Sequence, residues 1–305
     1  MNTLLRLGQV SDNELRLLRI FMAVVRNGGL SAAELELNIG RSTISRYLKD
    51  LEIRLGATLC HRGRSGFRLT EAGERVHAAA RQLFAAIDSF HMDVSELHGE
   101  LRGRLRLAFF DKTVTNPEAR LSDAIARFTD YAPRVTLEVH VEPTNLIESG
   151  VIDGTFHLGI IPAHRDSPSL HYQDLFREQM YLYCGAGHPL FARPDVGVTD
   201  ADVRAARFVG MGFHSPNMRT ARELGLARGA EAFDQEAVAT LILSGRYVGF
   251  LPDHYAAGFV QDGRMRSLRP QRYRYVCEFA AIVRQSPPPP LIVHRFMECL
   301  AEGRR

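Results

Sequence analysis

Eight apolar residues, Val76, Ala80, Leu83, Ile87, Phe90, Val94, Leu97 and Leu101, follow one another at steps of 4, 3, 4, 3, 4, 3 and 4. A seven-residue beat sustained this long belongs to a helix with one narrow seam, because side chains three and four apart share a face. At about 1.5 Å per residue, roughly 30 residues make a rod of about 45 Å. Such a rod cannot bury its seam against itself. It lies along its own domain or it pairs with a second copy. The strict period, and the position of the rod between two unlike stretches of chain, favour pairing. Val76, Leu83, Ile87, Phe90, Val94 and Leu97 are the expected dimer contacts. β-branched Ile87 and Val94 at one seam position favour a parallel pair in an isolated coiled coil.

The stretch before the rod is basic. Net charge over the 305 residues is +3, yet residues 1–70 hold 11 Lys and Arg against 6 Asp and Glu. That imbalance points to a polyanion as partner of the first module only. Ser11-Asp12-Asn13-Glu14 is a capping box, in which Ser11 and Glu14 satisfy each other's backbone donors. Behind it Leu15, Leu18, Phe21, Met22 and Val25 form an amphipathic helix that stops at Asn27-Gly28-Gly29. Ser31 is placed to cap a second, short helix with Ala33 and Leu37 inward. After Asn38-Ile39-Gly40 a third begins, with Ile44, Leu48, Leu51 and Leu55 on its inner face.

Two short helices joined by a Gly-containing turn form a helix-turn-helix, whose second helix enters the DNA major groove. Arg41 is long enough to reach guanine O6 and N7, while Ser42, Thr43 and Ser45 allow close approach. Arg46 and Lys49 suit phosphates, and Ser31 at the start of the preceding helix is a further DNA-binding candidate. The alternative is a small helical bundle with a basic face. Next, LGATLCHRGRSGFRLT reads as a hairpin with Arg62, Arg64 and Arg68 around its tip, either a basic wing on the DNA backbone or a solvated loop.

The run from Leu15 to Gly73 resembles, without gaps, the winged helix-turn-helix of LysR-type transcriptional regulators, most specifically in ISRYLKDLEIRLG and the closing RLTEAG. Two departures stand out. Gly40-Arg41-Ser42-Thr43 replaces the family's usual Ser-Gln-Pro-Ala opening, and Cys60 replaces the usual Phe before the wing. The first changes base-reading positions, the second packing. The resemblance implies antiparallel pairing of the linker helices, against the parallel preference of the seam taken alone.

Beyond Gly99–Gly103 strands and helices alternate, a βαβαβ pattern with a parallel sheet. LRLAFF, a helix capped by Asn116 with Pro117 in its first turn, VTLEVHVE, a short helix and FHLGIIP come first. A second run covers 168–267, with LHYQDLF and MYLYCG as separate strands and a helix after Ser215-Pro216. The chain then returns to finish the first run. The expected fold is α/β with a helix-rich N-terminal winged helix-turn-helix over 1–70, a linker helix over 71–102 and a two-part body over 103–305. The body's first subdomain is 103–165 with 268–305 and its second 166–267. It resembles the family's effector-binding domain, itself similar to periplasmic binding proteins.

Strand ends at the junction of two such subdomains are the expected ligand site. The resemblance gives Asp111, Lys112, Thr113, Thr115, Asn116, Thr144, Asn145, Phe213 and His214 as effector candidates, each equally an ordinary turn or cap. Lys112, one of two lysines in the chain, and a helix N-terminus at Asn116 suggest a carboxylate-bearing ligand.

Other chemistries find little purchase. The four cysteines have no metal-ligand spacing, and Cys184 with Cys277 as a redox pair lacks an electropositive setting. The histidines His140, His157, His164, His171 and His188 form no i,i+4 pair, so no metal or other cofactor is expected. No P-loop, GxGxxG or GxSxG occurs, and an enzyme is not expected. Neither an export signal nor an apolar run of roughly 18 residues is present, which implies a cytoplasmic protein without membrane contact. The expected partners are a double-stranded DNA operator, a small-molecule effector and a second copy of the chain, with a tetramer through the effector domains. A solute-binding module and an enzyme fused to a DNA-binding domain are the rival classes.

Overall fold

The computed structural model describes residues 11–63, 66–97, 101–163, 165–212 and 215–302. They form two compact units, one up to Ile87 and one from Asp88 onward.

In the first unit, α1 (Asp12–Arg26) carries the capping box, with Ser11 Oγ accepting from Glu14 N–H and Glu14 reaching back to Ser11. Helix α2 (Leu30–Leu37) starts one residue before Ser31. Gly29 takes φ 153°, open in practice only to glycine, so the chain turns into the helix early and Gly29 is the N-cap. Ser31 is therefore an exposed first-turn residue, not a cap. Helix α3 (Arg41–Leu55) buries Ile44, Leu48 and Leu51 against Leu17, Phe21 and Val24 of α1, all at most 1% exposed. Glu34 of α2 accepts from the Arg41 N–H and closes the start of α3, which has no side-chain cap of its own.

Strands β1 (Cys60–Gly63) and β2 (Gly66–Leu69) pair antiparallel as the wing, Cys60 opposite Leu69 and Gly63 opposite Gly66. Cys60 is 4% exposed and belongs to the core. Glu52 of α3 accepts from Leu59 N–H at 2.8 Å and so fixes the wing's root to the third helix. Thr70 Oγ1 accepts from Gly73 N–H at 2.9 Å and opens α4 (Glu71–Leu97). Gly73 permits the close crossing there, since a Cβ would lie 1.9 Å from Leu59 O.

Helix α4 has 27 residues, and Leu101 lies beyond it. The eight-residue seam is thus shorter than its spacing implies. Val76 packs on the core of the first unit and Leu101 on that of the second. Leu83, Ile87 and Val94 stay partly exposed and Phe90 is 63% exposed, while Ala85 and Met92 are buried on the other side. The side chain of Leu97 lies outside the described residues.

The second unit is one mixed nine-stranded sheet with helices around it. Parallel strands β3 (Gly103–Phe109), β4 (Val135–Val141) and β5 (Leu158–Pro162) form one half, in the order β4-β3-β5. Strands β7 (Phe208–Met211), β8 (Arg228–Ala232) and β9 (Val248–Pro252), also parallel, form the other. Two long antiparallel strands, β6 (Leu170–Gly185) and β11 (Arg274–Arg284), run through both halves and pair with each other, with β10 (Met265–Ser267) beside β6. LHYQDLF and MYLYCG are therefore one strand, not two. The sheet is mixed because the chain crosses between halves inside it.

Helices α5 (Leu121–Tyr131), α6 (Thr144–Ile152) and α11 (Leu291–Glu302) cover the first half, with Phe128 and Phe296 edge to face at 5.3 Å. Helices α7 (Asp200–Ala205), α8 (Pro216–Glu223), α9 (Gln235–Leu243) and α10 (Asp253–Gln261) belong to the second. The helix after β3 does not begin at Asn116-Pro117. A 3-10 turn covers Thr113–Thr115, and α5 starts at Leu121 after Arg120 in the left-handed region. Asn116 is occupied otherwise: its Oδ1 accepts from Glu118 N–H at 2.8 Å and its Nδ2 donates to Arg177 O at 3.3 Å. No helix among the described residues is long and apolar enough to cross a membrane.

Candidate nucleic-acid interface and effector cleft

The first unit presents α3 as a two-faced helix. Its inner stripe is buried at Ile44, Leu48 and Leu51 and partly buried at Leu55, while Arg41, Ser42, Arg46 and Lys49 are exposed and Thr43 and Ser45 half-buried on the outer side. Exposed Arg41 and Ser42 are the first two residues of the helix, the end that meets base edges when such a helix docks. Ser31 is exposed on α2, the helix that precedes it. Tyr47 organises the cations behind them: Arg16 Nη2 donates to its hydroxyl at 3.0 Å, and the Arg16 and Arg46 guanidinium groups lie 5.0 and 5.7 Å from its ring centroid. Arg16 is an exposed cation that a reading centred on α3 overlooks. Arg62 lies on β1, and Arg64 falls outside the described residues.

In the second unit, the loop after β3 reaches across to the other half at four points. Asp111 Oδ2 accepts from Gln235 N–H at the start of α9, 2.7 Å. Lys112 Nζ donates to Glu236 Oε2 at 2.8 Å and lies 5.1 Å from the Tyr255 ring centroid. Thr115 Oγ1 meets His254 Nδ1 at 2.8 Å, and His254 Nε2 meets the buried Glu178 Oε1 at 3.0 Å. Asn116 makes the fourth through Arg177 O. Thr113 is buried with its hydroxyl on Phe110 O. Thus Asp111, Lys112, Thr115 and Asn116 do gather at the junction, and Thr113 holds their loop in shape. Thr144 is buried and Asn145 exposed, and the groove beside Asp111 and Lys112 is walled by Val141, Glu142 and Pro143 just before them. Phe213 and His214 fall outside the described residues.

Between the halves lies a narrow cavity of about 20 Å³, room for about one water. Phe110, Met180, Met211 and Phe279 line it with apolar surface, and Ser215, Asn217 and Gln235 line it with polar groups. Ser215 precedes α8 but makes no capping bond; its Oγ is buried and unpaired. Asn217 Oδ1, Gln235 Oε1 and Asp111 Oδ1 are likewise buried without a partner. Burial pushes the Asp111 carboxyl up to about 6, against the opposing hydrogen bond from Gln235 and with added repulsion from Asp234. Burial is the largest single influence on Lys112 and opposes its charge, but the hydrogen bond to Glu236 together with the charges of Tyr255, Glu236 and Asp111 outweighs it and lifts the ammonium above the ordinary lysine range.

Lys112 is therefore already engaged by a carboxylate, and Asn116 opens no helix. Both supports for an anion at this wall are gone. Asn217, Gln235, Glu178 and His254 are the polar groups that sequence reasoning missed. Only Glu178 left a trace, as a carboxylate on the inward side of β6 between buried Phe176 and Met180.

The histidines have structural work. His157 Nδ1 accepts from Arg106 N–H at 3.0 Å, and burial holds its imidazole neutral, down to about 3. His140 pairs with Glu138. Cys184 and Cys277 are free and buried, and desolvation raises both thiols, Cys184 to about 11.

Comparison with known proteins gives this architecture a family. The description "Bacterial regulatory helix-turn-helix protein, lysR family" matches residues 15–74, and "LysR substrate binding domain" matches residues 98–305. The chain is 41% identical over 295 residues to the HTH-type transcriptional activator BauR of Pseudomonas aeruginosa, covering 97% of each. It is 27% identical over 262 residues to the SDS degradation transcriptional activation protein of a Pseudomonas species, covering 84% of each. It shares its fold with full-length CbnR, solved in complex with its target DNA, at a TM-score of 0.66 and 22% identity over 95% of this chain and 99% of that one. With one description on the basic N-terminal unit and the other on the cleft-bearing unit, the chain belongs to the LysR family of transcriptional regulators, proteins with a helix-turn-helix DNA-binding domain and an effector-binding domain, and not to a family of enzymes.

Proposed function

We propose that the outer face of α3 reads a DNA operator through Arg41, Ser42, Thr43 and Ser45, with Arg46, Lys49 and the wing arginines Arg62 and Arg64 on the phosphates. A small molecule seated between the halves of the second unit sets the regulatory state. The observation that carries the second part is the loop 111–116, whose four bonds to the opposite half lie between two grooves, one lined by Asn116, Glu178 and His254 and the other by Asp111, Lys112 and Phe233. A ligand there competes with or reinforces those bonds, and a difference in affinity for two arrangements of the halves is all that a regulatory shift requires.

The chain acts as a cytoplasmic dimer through the α4 seam, assembled into a tetramer through the effector domains. For the ligand's charge, the engagement of Lys112 by Glu236 weighs against the carboxylate anchored at that lysine. Lys112→Ala then changes the inter-half contact more than it changes the affinity for an organic acid. Selection of DNA by the full-length protein from a random library, alone and with candidate ligands, tests the reading. The expected result is one enriched sequence whose affinity responds to a ligand, and loss of that response in Ala257→Trp, which fills the groove beside Asn116 and His254. No enrichment, or a response indifferent to the filled groove, refutes it.

A further inference from the structure

The carboxylates of α1, α2 and α3 spend their bonds away from the cations on the outer face of α3. Glu14 is used in the cap with Ser11, and Glu34 accepts from the Arg41 backbone N–H. Glu36 pairs with Arg26, Asp50 with Arg54 at 3.1 Å, and Glu52 accepts from Leu59 N–H at 2.8 Å. Among the described residues no carboxylate bonds the side chain of Arg16, Arg41, Arg46 or Lys49. Four cations are thus left open to an outside anion.

Of these four, Arg16 lies off α3, on α1, and its position is fixed although it is exposed. Its Nη2 donates to the Tyr47 hydroxyl at 3.0 Å, and its guanidinium lies 5.0 Å from the Tyr47 ring centroid. Arg46 approaches the same ring at 5.7 Å. Two like charges against one tyrosine, with no acid between them, repel each other and attract an anion. Tyr47 Oη accepts from Arg16, so its own hydrogen is unspent among the described residues. Arg19, the next exposed arginine of α1, gives the contrast: its guanidinium lies 5.1 Å from the Phe84 ring of α4 and not on α3.

We infer that Arg16 and Tyr47 form a clamp for one phosphate of the DNA backbone, beside the groove that α3 enters. The inference rests on reading α3 as the helix that enters DNA. The free edge of the Arg16 guanidinium and the Tyr47 O–H both donate to the phosphate oxygens, a task to which both side-chain types are suited. The ring and the hydroxyl hold the guanidinium before DNA arrives, so less side-chain freedom is lost on docking. Such a contact carries no base information. It sets how the first unit sits on the duplex, and so which base edges Arg41 and Ser42 meet.

The test uses the full-length protein and a random-sequence DNA duplex, since backbone contacts need no particular sequence. Fluorescence anisotropy between about 50 and 200 mM salt reads affinity and salt slope together. Arg16→Ala should weaken binding about tenfold and lower the slope by about 0.9, while Arg16→Lys, which keeps the charge, should restore the slope. Arg16 is exposed and alanine favours helix, so that loss does not pass through folding. Tyr47→Phe keeps the ring and the net charge, and should weaken binding about threefold with the slope unchanged. Combined with Arg16→Ala it should cost less than the product of the two single losses, because the hydroxyl acts partly through Arg16. Arg19→Ala should lower the slope by less than half as much as Arg16→Ala. An unchanged slope in Arg16→Ala, an equal fall in Arg19→Ala, or Tyr47→Phe indistinguishable from the parent overturns the inference. Arg41→Ala and Lys49→Ala separate this failure from a deeper one. If they weaken binding and Arg16→Ala does not, the clamp alone falls; if none of the three does, α3 is not the helix that enters DNA.

Discussion

Phe90→Ala isolates the seam on α4. Phe90 is 63% exposed in the single chain, on a helix whose neighbouring seam residues Leu83, Ile87 and Val94 are only half-covered. Full burial of a phenylalanine is worth up to about 3 kcal/mol, and alanine retains a small part of that. The share still available to a partner is then about 1.5 kcal/mol per chain. A symmetric dimer loses it twice, about 3 kcal/mol in all, which is roughly a hundredfold in the dimer dissociation constant. Alanine keeps helix propensity intact, so a broken helix does not account for the loss. Sedimentation equilibrium over a concentration series, with circular dichroism to verify helix content, reads the effect. An unchanged dissociation constant with unchanged helicity means that Phe90 points to water in the assembly and that the seam is not the dimer contact.

Three other outcomes are expected. Arg41→Ala should cost about 1–3 kcal/mol on the selected operator and relax one base preference, while Arg64→Ala should weaken all sequences alike and lower the salt slope by about one; equal losses on every sequence from both variants contradict the division. Gly73→Ala forces a Cβ against Leu59 O and should destabilise the N-terminal unit by about 1–3 kcal/mol, seen as an earlier melting transition with loss of DNA binding; an unaltered curve contradicts the tight crossing. Asp111, whose carboxyl burial raises to about 6, costs the fold stability as pH rises through that value, so Asp111→Asn should raise the melting temperature of the second unit more at about pH 7.5 than at about pH 5; an equal change at both pH values contradicts the buried charge.

The parts of the molecule legible in the sequence are those decided within a turn or two of helix. Ile44, Leu48 and Leu51 are inward because their spacing leaves no other face, and Ser11 and Glu14 cap α1 because they need only each other. Asn116-Pro117 shows the limit. Locally it is a good helix start, but the Asn116 amide reaches Arg177 O, 61 positions away, and the helix begins at Leu121 instead. Ser31 lost its cap to Gly29, whose backbone freedom is not visible in the pattern of polar residues. The cleft was legible as a place, from strand ends and a chain that leaves and returns. Its chemistry was not, because Asn217, Gln235 and His254 each look like ordinary helix residues until β6 and β11 bring the two halves together.

The weaving of β11 between β5 and β6 has a consequence for the order in which the protein is made. Residues 103–162 emerge from the ribosome carrying β3, β4 and β5, but the neighbour that completes their sheet, Ala281 opposite Ile160, is more than a hundred residues away. Phe128 of α5 waits longer still for Phe296 of α11. The half built on β7, β8 and β9 has its own strands contiguous in the chain, so during translation it folds first while β5 keeps an open edge. An open apolar edge of that duration is where a nascent chain meets chaperones or its neighbours. Slow codons or a pause between β9 and β11 would lengthen that exposure, and shuffling the gene so that β11 follows β5 directly would remove it.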